Sequence, residues 1–116
     1  MADVLVIGYD PAAIPGADGD ALRAALDTEL ARFGEHGIDA DAALVVHDGS
    51  AGAVLAGALT ERAWRVVVIG GGIRKDEGLL PLFEQTVNLV RRHAPQAAIA
   101  FNSRIGDSVE AALRWL

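Results

Sequence analysis

The chain of 116 residues has no cysteine. Disulfide staples, thiolate metal sites and a thiol nucleophile are therefore excluded, and a reducing cytoplasm is the expected setting. Basic charge is in short supply: 10 Lys and Arg stand against 16 Asp and Glu, a net charge of −6. Lys75 is the only lysine. Nucleic-acid binding and attraction to an anionic membrane both need a basic face, so neither is expected. Long apolar runs are missing too, and nothing approaches the roughly 20 residues that span a bilayer. The opening residues run straight into a strand-like segment without a cationic stretch, which predicts no signal peptide. Internal repeats and low-complexity segments are absent. Abundant alanine, with arginine in place of lysine, is the composition expected of a GC-rich bacterial gene.

What the chain has is a core. Hydrophobic residues make up 52% of it, enough for a single domain over 1–116 without staples. Short β-branched runs occur at 3–8 ("DVLVIG"), 42–46 ("AALVV"), 65–69 ("RVVVI") and 97–101 ("AAIAF"), and each reads as a buried strand. Between them lie helical patterns. Leu22, Leu26, Leu30 and Phe33 make one apolar stripe over 20–36, with Asp20 as cap, Gly37 as stop and Ile38 folding back. An Ala- and Gly-rich segment, 50–62, reads as a second helix capped by Ser50 or Asp48. A third spans 77–93, with Pro81 in its first turn and Leu79, Phe83, Val87 and Val90 as its inner stripe. A last helix follows Asp107 or Ser108. Trp115 and Leu116 either dock on the sheet or offer apolar surface to a neighbour.

Continuous apolar strands alternating with amphipathic helices predict an α/β three-layer sandwich, Rossmann-like or flavodoxin-like, around a four-stranded parallel sheet. The two most uniformly apolar strands, at 3–8 and 65–69, belong in the middle, which gives the order 2-1-3-4.

In such a sheet every strand-to-helix loop leaves from one rim, and ligands gather where the connections change direction. The residues on that rim are Tyr9 and Asp10; His47, Asp48 and Ser50; Gly70, Gly71, Gly72, Arg74 and Lys75; and Asn102, Ser103 and Arg104. The glycine triplet followed by two cations supports either a loop that brings amides to an anion or a tight turn needing positive φ. His47 is the candidate general base, since imidazole titrates near neutral pH; its other role is a structural hydrogen bond. Asp48 and Asp10 suit turns, Ser50 a helix cap, and Asn102 can orient a ligand or tie a loop. Tyr9 can stack on a ring. No dinucleotide, P-loop or nucleophile-elbow pattern is present, so no cofactor is named and no metal site is expected.

In size and β-α order the chain resembles a response-regulator receiver domain. That resemblance implies acidic residues after the first strand, a phosphoacceptor Asp after the third and a lysine after a fifth. Asp10 matches one first-strand acid; glycines stand where the phosphoacceptor belongs, and no fifth strand exists. Flavodoxin-like FMN binders are similar in fold, but Tyr9-Asp10-Pro11 replaces their Ser/Thr-rich phosphate loop. The leading expectation is a cytoplasmic protein that binds a polar, anionic small molecule at the carboxyl rim. The alternatives are a non-catalytic homodimer or partner-binding module, or a degenerate receiver-like domain.

Overall fold

The computed structural model describes residues 2–116. Four strands, β1 (Ala2–Tyr9), β2 (Ile38–Val45), β3 (Val66–Ile69) and β4 (Ala98–Phe101), form one sheet in the order β2-β1-β3-β4. All three pairings are parallel. The sequence pattern and the structure agree on this three-layer α/β arrangement. The reason shows in β3, whose four residues are completely buried. A strand covered on both faces must be apolar throughout.

β2 begins at Ile38, earlier than the apolar run at 42–46 suggested. Its first half is covered on one side only, with Ile38 and Ala40 in the core and Asp39 and Asp41 exposed; its second half is apolar on both sides, Ala42 and Leu44 on the side of Ile38 and the buried Ala43 and Val45 on the side of the two aspartates. Gly37, at φ +70°, ends the preceding helix as expected, but Ile38 enters the sheet opposite Ala2 rather than folding back.

Among the described residues five α-helices are present: α1 (Gly19–Glu35), α2 (Ala51–Thr60), α3 (Gly71–Arg74), α4 (Leu80–His93) and α5 (Ser108–Leu113). α2 and α4 cover one face, over Leu5, Ile7, Val67 and Ile69. α1 and α5 cover the other, over Val4, Val6, Val66 and Val68. The α1 cap is Asp18, whose carboxylate accepts from the Ala21 amide at 3.0 Å. Asp20 sits instead in the first turn, where its charge still favours the helix dipole.

In α4 the fully buried line is Leu82, Thr86 and Val90; of the expected stripe Val90 is buried, while Leu79, Phe83 and Val87 are half-buried and pack against the core from one side. Thr86 can lead the stripe because its hydroxyl donates to the Leu82 carbonyl at 2.8 Å. Reading apolar residues alone therefore placed the inner face one position off. Trp115 does not dock on the sheet either; it is 58% exposed.

Candidate functional site

The glycine triplet is neither a positive-φ turn nor an open loop. Among the described residues only Gly16 and Gly37 have positive φ. Gly71 and Gly72 open α3, with Gly70 as its extended cap. What the triplet needs is closeness. A Cβ on Gly70 would lie 3.2 Å from the Ile7 carbonyl oxygen, and one on Gly72 3.3 Å from the Tyr9 Cβ. Glycine lets the exit of β3 press against the exit of β1.

At that junction, on the side covered by α1 and α5, lies a cavity of about 300 Å³. Its body is apolar, walled by Pro11, Ile14, Leu22, Leu26, Leu44 and Ile105. Its polar lining comes from Gly70, Gly71 and Gly72, Tyr9, Lys75, Asn102, Ser103, Arg104 and Ser108. The apolar wall has no chemical marker in the sequence, because aliphatic residues read as core wherever they stand. The available signal was Ile14 in the long loop and Leu22 at the start of the α1 stripe.

Arg74 is not part of this lining. Its Nε donates to the Ile69 carbonyl at 2.8 Å, and its Nη2 donates to both the carbonyl and, at 3.1 Å, the Oδ1 of Asn102. The guanidinium lies 5.3 Å from the Phe101 ring centre. Burial pushes its pKa down and the charge of Asp107 opposes this; an arginine stays cationic regardless. Arg74 is thus a strut between the β3 and β4 loops. Lys75 also ties those loops, donating to the Ser103 carbonyl, and it lines the cavity.

Asn102 is the buried hub. Its amide nitrogen donates to Ser108 Oγ at 2.9 Å, and that hydroxyl donates to the Ile105 carbonyl at 2.8 Å. Asp107 gathers the exposed part of the loop, accepting from the Ser103 hydroxyl and from the amides of Ser103 and Arg104 at 3.0 and 3.3 Å.

The β2 loop stands apart from the cavity lining. Asp48 accepts from both the amide and the hydroxyl of Ser50, so Ser50 forms no side-chain cap on α2. The exposed His47 is linked through its amide, which donates to the Tyr9 hydroxyl at 3.3 Å. Asp10 accepts from the Ala12 amide at 3.0 Å and borders a separate surface hollow with Asp18, Asp20 and Arg23. Tyr9 both lines the cavity and touches the β2 loop.

Several of these carboxylates are held below their ordinary values. Burial pushes Asp107 up, but hydrogen bonds from Ser103 and Arg104 outweigh it and the net direction is down. Ser50 lowers Asp48, and the Arg32 guanidinium lowers Glu110. A carboxylate with a depressed folded-state pKa stabilises the fold above its unfolded pKa, about 4, and loses that contribution as pH falls through the folded value. Urea unfolding should therefore show a nearly constant midpoint from neutrality to about pH 5 and a decline below about pH 4. Asp107→Asn, which cannot titrate, should show a smaller decline over the same interval.

No protein-family profile matches the chain, and the search of curated proteins finds no relative. The site must be read from its own chemistry. Among the described residues no three His, Asp or Glu side chains gather to hold a metal ion, and no helix is long and apolar enough to cross a membrane.

Proposed function

We propose that this protein binds a small organic anion with an apolar body, seated in the cavity between the ends of β1 and β3. The observation that carries the proposal is the mixed lining of that cavity, mostly aliphatic side chains together with the glycine triplet, hydroxyl-bearing residues and the two cationic residues Lys75 and Arg104. Its volume lies at the lower end of ligand sites, which run from about 300 Å³ upward. An aliphatic wall favours a branched or ring-bearing ligand by area removed from water. Arg104 and Lys75 favour a carboxylate or phosphate group, and the overall acidity of the chain makes such a local cationic patch selective.

The reading is of binding, not turnover. The lining includes no carboxylate and no histidine, so no general base working near neutral pH faces the ligand. The cysteine-free composition suits the cytoplasm as the place of action.

The test is a thermal-shift and NMR screen of small aromatic and branched aliphatic carboxylates and phosphates, each beside its neutral amide or alcohol. An anionic member should raise the Tm. Arg104→Glu should weaken its binding about five- to tenfold while leaving the neutral counterpart nearly unchanged, because a rim charge contributes on the order of 1 kcal/mol. No Tm rise with any member, or equal loss for charged and neutral forms, would sink the reading.

A further inference from the structure

We infer that the flank of α4 beside β4 is a self-association surface, on which a second copy of this chain packs antiparallel about a two-fold axis near Val87. The inference is independent of ligand binding. It begins with the displaced stripe of α4. Leu80, Glu84, Val87 and Arg91 recur at spacings of four, three and four, so they share one flank of the helix. Contacts fix where that flank lies. Gln85 turns toward α2, where a Cβ on Gly52 would come within 3.1 Å of its Nε2. Phe83 turns toward the sheet edge and meets Phe101 edge-on, ring centres 6.1 Å apart. By helical spacing the stripe lies beyond Phe83, on the outer face of α4 toward β4, and its Arg91 also borders a hollow with Gln85 and Asn88.

That flank is apolar and open. Leu80 is 62% exposed and Phe101 44% exposed, and Phe83 and Val87 are half-buried. Its two charges are unspent: among the described residues neither Glu84 nor Arg91 takes part in an ion pair. An acid near the start of the stripe and a base near its end are self-complementary only when two copies run antiparallel. With the axis near Val87, each Glu84 faces Arg91 of the second copy, the two Val87 side chains meet, and Leu80 reaches past the end of the other α4. Isologous pairing makes every such contact twice.

The two sheet edges differ in the same sense. β2 carries Asp39 and Asp41 outward, which discourages association. β4 carries no charge. Arg114 nevertheless donates to the Phe101 carbonyl at 2.9 Å, which obstructs strand addition there and leaves the side chains of α4 as the means of contact.

Sedimentation velocity and light scattering over a wide range of concentrations test this on the intact chain. A concentration-dependent dimer is expected. Leu80→Asp should weaken it about tenfold or more, since symmetry places two charges in one apolar contact. Glu84→Arg and Arg91→Glu should each weaken it, and the double variant should recover to within about threefold of the parent. All three positions are exposed, so circular dichroism should stay unchanged. A monomer at every concentration overturns the inference, as does a dimer indifferent to Leu80→Asp or a double variant without recovery. Loss of the dimer through Trp115→Ser with Leu80→Asp silent would place the contact on the α5 face and overturn it equally.

Discussion

Trp64→Ala should lower the unfolding free energy by about 3–5 kcal/mol, the range for removing a large aromatic from a core. Trp64 is fully buried just before β3, among Leu55, Leu59, Val90 and Ala94. These packed neighbours close only part of the space a lost indole leaves, so transfer and cavity terms add. Its Nε1 donates to the Ala58 carbonyl at 2.9 Å near the end of α2, and the Arg62 guanidinium sits 4.8 Å from its ring centre. Those contacts go with it. Domains of this size have roughly 5–15 kcal/mol in total, so the midpoint in urea should fall sharply and the Tm by roughly 10–20 °C. Trp64 belongs to the α2/α4 face, whereas the cavity opens on the α1/α5 face. Ligand affinity measured well below the new Tm should therefore hold. A loss under about 1 kcal/mol would show that the site repacks and that the core is looser than its burial implies.

Glu29→Ala should cost less stability, about 2–4 kcal/mol, but should reach the cavity. Glu29 sits in α1 with only 2% exposure. Its Oε2 accepts from the Val109 amide at 2.9 Å, in the first turn of α5. Asp107, at the cap position, makes no side-chain cap bond there, so an acid from another helix serves α5 instead. Arg32 completes the cluster: its Nη1 donates to Glu29 at 2.9 Å and to the Gly106 carbonyl at 3.0 Å, and its Nη2 to Glu110 at 2.8 Å. Truncation leaves a buried amide unpaired and removes one anion from beside Arg32. The loop before α5 carries Arg104 and Ile105 and the helix opens on Ser108, and all three line the cavity. Amide exchange should accelerate through 104–113, and affinity for an anionic ligand should drop along with stability. Glu29→Gln keeps an acceptor and should cost about half as much. Equal losses for both variants would mean that charge, not the amide bond, is what α5 requires.

How far this molecule could be read from its letters varies by element. β3 was legible because a strand enclosed on both sides has no freedom to be polar. β2 was half legible: its second half is apolar on both sides and reads as a strand, while its first half is covered on one side only, and Asp39 and Asp41 hid it. The α1 stripe was plain from leucine spacing, yet Glu29 beside it reads as surface until Val109 and Arg32 are brought to it. Thr86 misled for the opposite reason: its hydroxyl is satisfied within its own helix. The rim residues illustrate the same limit. Tyr9, Asn102 and Arg104 were identifiable as residues on one edge, but Arg74 was equally conspicuous there and is a strut.

The order of strands and the side from which their loops emerge were set by sequence alone, since apolar periodicity and parallel pairing leave few ways to hide the same surface. Which loop residues face a common cavity, and which face one another, was decided by tertiary structure. Side-chain direction at the end of a strand depends on neighbours distant in sequence: the Ile7 carbonyl beneath Gly70, the Asn102 carbonyl before Arg74, the carboxylate of Glu29 under α5. No local pattern contains those partners.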